Sequence, residues 1–133
     1  MGIAGSGLTV TRDRHKIVTT HEYMFMYRYV MEEISEKIDL DDETAEHLAA
    51  LFSTLGDPGR VRILAALLEQ DLNVGELAER VGLSHSAVSH HLRHLRQMRL
   101  VRAQKQGRYV YYALDDEHVR DLFAHGLAHV QHR

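Results

Sequence analysis

The last nineteen residues, DDEHVRDLFAHGLAHVQHR, carry four histidines, a residue type that binds divalent metals through its neutral imidazole nitrogens. On a helix turning 100° per residue with His118 at zero, His125, His129 and His132 fall at about 340°, 20° and 320°, so all four share one stripe. Val119, Leu122, Phe123, Gly126, Leu127 and Val130 lie beside it and make an apolar face. His118 and His129 are separated by about 16 Å of helix rise, whereas metal–nitrogen bonds are about 2 Å long, so one helix cannot close the site. An antiparallel second copy would set the Asp116/His118 end of one helix against the His129/His132 end of the other, giving two symmetric sites per dimer. His129 and His132 are neighbours at i and i+3, and Asp116 reaches His118 only where the chain enters the helix. Asp115, at about 60°, is the alternative carboxylate. His125 is a candidate extra ligand, as are His15 and His21 nearer the N-terminus.

Such a site needs a scaffold, and 133 residues suffice for one modest domain that a dimer interface would help stabilise. The absence of cysteine rules out disulfides and thiolate ligands. No apolar run is long enough for a membrane span, and the start MGIAGSGLTVTRDRHK has no signal-peptide core, so the reading is a cytoplasmic protein. The net charge of −3 conceals a segregation: Met31 to Leu48 holds eight acids and one lysine, whereas Arg80 to Leu114 holds seven basic residues and no acid. The basic stretch is where double-stranded DNA would sit.

In chain order, residues 1–20 are polar and glycine-containing and are expected to be a flexible arm. From His21 to Ile38, Tyr23, Tyr27, Val30 and Ile34, with Met24 and Met31 beside them, recur at helical spacing and predict an extra amphipathic helix. The arm and this helix form one section, 1–40, and the rest of the chain, 41–133, forms the domain. Asp41 and Asp42 open a helix whose face of Ala45, Leu48, Ala49, Phe52 and Leu55 is expected in the core, with His47 exposed. Asp57-Pro58 starts the next helix, with a buried stripe of Val61, Leu64, Ala65 and Leu68 and an end near Gln70. Asn73 and Glu76 have capping spacing, Gly82 supplies a left-handed stop and Ser84 caps at once, so two short helices meet at Gly82-Leu83-Ser84. With Val88, Leu92 and Leu95 turned inward, that is a helix-turn-helix. His85, Ser86, Ser89, His90 and Arg93 then face outward as DNA-contacting residues.

After Arg99 the period changes to alternation, from Leu100 to Gln104 and from Tyr109 to Leu114 around a Lys105-Gln106-Gly107-Arg108 tip, which predicts a β-hairpin wing. Lys105 and Arg108 suit phosphates, while Tyr109, Tyr111 and Tyr112 suit sheet packing. The fold class is therefore mainly α with one β-hairpin: a homodimeric winged helix-turn-helix carrying an extra N-terminal helix.

LGDPGRVRIL, NVGELAERVGLSHSAVSHHLRHLR and GRYVYYAL resemble the helix, reading-head and wing segments of the ArsR/SmtB family of winged-helix metal-responsive repressors, over about residues 43 to 132. The resemblance implies a homodimer that occupies its operator when metal-free and leaves on binding metal. It is similar above all to members that sense zinc, cobalt or nickel through the C-terminal helix. Their Asp-x-His and His-x-x-His ligands map onto Asp116, His118, His129 and His132. By the same analogy a ligating histidine would hydrogen-bond the peptide around Arg99. The family's cysteine site is absent, since Leu72-Asn73-Val74-Gly75-Glu76-Leu77 stands in its place.

Three imidazoles and a carboxylate suit zinc(II) or tetrahedral cobalt(II), and a recruited His125 or arm histidine would favour six-coordinate nickel(II) or cobalt(II). The competing readings are a repressor of this fold answering a non-metal signal, and a metal-dependent hydrolase. The hydrolase lacks the general base of a His-Glu-x-x-His helix and an open coordination position. No enzyme activity and no small-molecule substrate are expected.

Overall fold

The computed structural model describes residues 11–12, 17–18, 24–25, 27–32 and 38–132. The chain divides into two compact units, Met1–Asp41 and Asp42–Arg133. In the first unit β1 (Thr11–Arg12) and β2 (Ile17–Val18) pair antiparallel, Thr11 opposite Val18 and Arg12 opposite Ile17. These four positions lie within the stretch expected to be an arm, and β-branched Thr11, Ile17 and Val18 favour extended backbone. Residues 24–25 and 27–32 are helical (α1), as the spacing predicts. Met24, Tyr27, Val30 and Met31 are exposed, while Tyr23, Ile34, His15 and His21 lie outside the described residues.

The second unit runs α2 (Asp42–Leu55), α3 (Pro58–Glu69), β3 (Leu72–Asn73), α4 (Val74–Val81), α5 (His85–Gln97), β4 (Val101–Gln106), β5 (Tyr109–Leu114) and α6 (Glu117–Gln131). Several boundaries have a local cause. Asp57 Oδ2 accepts the Arg60 amide at 3.0 Å ahead of Pro58, whose missing N–H would have no partner there. Asn73 Oδ1 accepts from the Glu76 amide at 2.9 Å, and Ser84 Oγ from the Ala87 amide at 3.1 Å. Gly82 ends α4 at φ +70°, its amide and that of Leu83 both donating to the Ala78 carbonyl.

The core gathers Ile63, Leu64 and Leu67 of α3, Leu77 of α4, Val88, Leu92 and Leu95 of α5, Val101 of β4 and Val119 of α6. Truncating one of these leucines to alanine would cost about 2–5 kcal/mol. β4 and β5 form the expected hairpin, closed by the two residues Gly107-Arg108 with Gly107 at φ +62°, so Lys105 and Gln106 belong to the strand rather than the tip. A third strand extends it: β3 pairs with β5, giving the order β3-β5-β4.

Two stripes differ from expectation. In α3 Val61 is exposed and Ala65 and Leu68 are half-buried, while Ile63, Ala66 and Leu67 are buried beside Leu64. Contact with both α4 and α5 rotates and widens the buried arc. In α2 the face expected in the core is largely outside: Leu48 is 39% and Phe52 54% exposed, and the buried residue is Thr54, whose hydroxyl donates to the Ala50 carbonyl. Periodicity shows that a face is apolar, not what covers it.

Candidate nucleic-acid interface and metal centre

α4, the Gly82-Leu83-Ser84 turn and α5 form a helix-turn-helix, because Leu77 and Ala78 on one side and Val88, Leu92 and Leu95 on the other share one core. That packing leaves His85, Ser86, Ser89, His90 and Arg93 exposed along one side of α5. At the wing, Lys105 and Arg108 are exposed, and the Arg108 guanidinium lies 5.6 Å over the Tyr109 ring, within cation–π range. Tyr112 packs against the core and Tyr111 is half-buried, but Tyr109 is half exposed, so sheet packing describes only part of the tyrosine set. The helix and the hairpin thus leave the positions expected to meet DNA exposed.

A pair that the sequence reading passed over lies behind this surface. His91, on the inner side of α5, places Nε2 3.7 Å from Asp57 Oδ2, and its Nδ1 is buried with no hydrogen-bond partner. A Cβ added at Gly59 would stand 2.8 Å from His91 Nε2, so a larger residue there would require the ring to shift. The Arg60 amide holds the Asp57 carboxyl below its usual range against the opposing pull of burial, and the charges of Arg60 and His91 act in the same direction. The signal in the sequence is the helix-capping Asp57 followed by Gly59, which does not name its distant partner.

Asp116 is the N-cap of α6. Its Oδ1 accepts the Val119 amide at 3.2 Å, and its Oδ2 lies 3.5 Å from His118 Nδ1. The chain entry therefore brings Asp116 to His118, whereas Asp115 is bound into the sheet end through its amide, which donates to the Leu100 carbonyl. His129 is exposed in the last turn and His132 caps it. Among the described residues no group of three or more His, Asp or Glu side chains of one chain surrounds a metal position. The donors fit a divalent metal in type and exposure, with two at each end of a fifteen-residue helix. His125 lies between the two pairs and is exposed.

A helix-turn-helix with an antiparallel wing and a basic reading surface defines a winged-helix DNA-binding regulator, not an enzyme. Residues 57–103 match the bacterial regulatory protein arsR family. The chain is 46% identical over 96 residues to the transcriptional repressor SmtB homolog of Synechocystis sp., covering 72% of this chain and 71% of that protein. It is 38% identical to a cadmium resistance transcriptional regulatory protein CadC homolog of Staphylococcus aureus, over 70% of this chain and 78% of that one. The fold matches the homodimeric winged helix-turn-helix DNA-binding domain solved from Mycobacterium bovis with a TM-score of 0.66 at 25% identity, covering 71% and 88% of the two chains. The chain therefore belongs to the arsR family of transcriptional regulators. Among the described residues no helix is long and apolar enough to cross a membrane.

Proposed function

We propose that this protein is a metal-responsive repressor, a homodimer that holds its operator when metal-free and releases it when zinc(II), or else cobalt(II) or nickel(II), binds between the C-terminal helices. The observation that carries the reading is the Asp116–His118 pair at the start of α6 together with the exposed His129 and His132 at its end. Each pair would be half of a four-donor set, and an antiparallel second α6 would supply the other half. A metal held by these residues would supply a cross-link between two helices. Asp116 and His118 orient through the helix entry, and His129 and His132 through their one-turn spacing. Leu127 and Val130, exposed beside the histidines, and Leu48 and Phe52 on α2 form the apolar surface for the second copy. The match to metal-linked relatives, including one whose name records cadmium resistance, supports a metal as the signal. The absence of cysteine favours nitrogen- and oxygen-seeking metals.

Cobalt(II) titration tests the site. Intense visible bands saturating at one metal per subunit, lost in His118→Ala and His129→Ala, are the expected result, and weak bands at that stoichiometry would indicate six-coordination with His125. Added zinc should weaken DNA binding by the wild type about 5- to 150-fold, the range of ordinary coupling energies. A regulator whose DNA affinity ignores metal, with variants that bind metal normally, would answer to another signal.

A further inference from the structure

A cleft of about 430 Å³ opens between α5 and the wing, lined by Ser89, Leu92, Arg93, Arg96, Gln97 and Tyr112. Leu92 is buried core and forms its floor, while Ser89, Arg93, Arg96 and Gln97 are exposed along the rim and Tyr112 comes from β5. Ala103 is the register partner of Tyr112 and Lys105 follows two residues along β4, so Lys105 extends from the same face of the sheet.

Among the described residues no acid pairs with the charge of this cleft. Arg60 is engaged with the Thr54 carbonyl, Arg80 with Glu69 and Arg120 with the Leu68 carbonyl, whereas Arg62, Arg99 and Arg102, like the cleft pair, make no ion pair among the described residues. Among the described residues Arg93 and Arg96 make no ion pair. They stand at i and i+3, a spacing at which like charges repel and which a shared anion relieves. The chain carries no acid between Arg80 and Leu114 to serve as that partner.

We infer that the cleft seats one phosphodiester of duplex DNA, gripped jointly by Arg93 and Arg96, with Gln97, Ser89 and Tyr112 as hydrogen-bond donors. Base edges are read from the N-terminal residues of a recognition helix, here His85 and Ser86, whereas the cleft opens one to three turns further on and against the wing. Phosphate contacts fix the register of the helix without reading sequence. Arg96, Gln97 and Tyr112 thereby become positioning residues for the groove-facing set.

The test is the salt dependence of binding to two unrelated duplexes, which needs no known operator. The double variant Arg93→Gln/Arg96→Gln, with both sites exposed so that the fold is kept, should bind each duplex roughly three- to tenfold more weakly near physiological salt. Its slope of log K against log salt should fall by about one. Arg93→Lys/Arg96→Lys should keep the slope. An unchanged slope, a fall of about two, or unequal losses on the two duplexes would overturn a single shared phosphate. Saturable binding of inorganic phosphate by the free protein tighter than about 1 mM would instead make the cleft a small-anion site. Wild-type protein that binds neither duplex at low salt would overturn the DNA interface as a whole.

Discussion

Arg120 of α6 donates from Nη1 to the carbonyl of Leu68 at 3.0 Å, joining the C-terminal helix to the last turn of α3 across 52 residues of sequence. Leu68 belongs to the final turn of α3, whose carbonyls have no intrahelical partner, and a cation there also meets the negative end of the helix dipole. Glu117 lies 3.7 Å from the same guanidinium and steadies it. The helix bearing the candidate metal ligands is thereby tied to a helix that packs on both α4 and α5.

Arg120→Ala should therefore do two things. Stability should fall by about 1 kcal/mol, below the usual range for a hydrogen bond to a charged group because the side chain is partly exposed, as read from urea unfolding. The ratio of DNA affinities without and with zinc should move toward one while metal stoichiometry stays at one per subunit. Full zinc response in the variant would show that the tether only stabilises.

Arg99 sits at φ +55°, in the left-handed region that closes α5. Its amide donates to the Arg96 carbonyl and that of Leu100 to the Leu95 carbonyl, the paired bonds of a Schellman ending. A side chain with a Cβ costs about 1–2 kcal/mol in that conformation. Arg99→Gly is expected to raise the urea midpoint by an amount worth about 1 kcal/mol, and Arg99→Ala should give no such gain. Equal effects of the two would mean that charge, not backbone strain, governs the site.

Much of this arrangement is legible in the residues because it is local. Asp57, Asn73 and Ser84 act as caps within three residues, and Gly82 needs only its own backbone freedom. The helix-turn-helix and hairpin follow from them. What escapes is long-range: two-residue β3 has no period of its own and exists through pairing with β5, and Arg120 finds Leu68 only after folding. The α2 stripe reads as core because Leu48 and Phe52 are apolar at the right spacing, which is equally the pattern of an interface. The ends of α6 carry the donor pairs, and spacing alone requires a second copy to join them.

The Asp57 carboxyl is held below its ordinary range chiefly by the Arg60 amide. A group whose folded value is depressed contributes stability above its unfolded value, about 3.9, and loses it as pH falls through the folded value. The melting temperature of the wild type should thus drop more steeply than that of Asp57→Asn on acidification below about pH 4. Parallel curves would show that the capping bond does not distinguish the two charge states.

The last expectation concerns the exposed apolar residues. Phe52 on α2 is 54% exposed, and Val130 and Leu127 on α6 are 57% and 45% exposed. Burying such side chains is worth about 1.5–3 kcal/mol each, and a charge placed among them adds a desolvation cost, so one substitution changes self-association by orders of magnitude. Phe52→Asp and Val130→Asp should each shift the protein toward monomer in sedimentation equilibrium while leaving its helical circular dichroism intact, because neither residue belongs to the core of the single chain. Val130→Asp should also abolish intense cobalt bands even though every proposed ligand is retained, since a site built from two helices fails when the helices part. Retention of those bands in a monomer would place all the ligands on one chain and overturn the intersubunit arrangement.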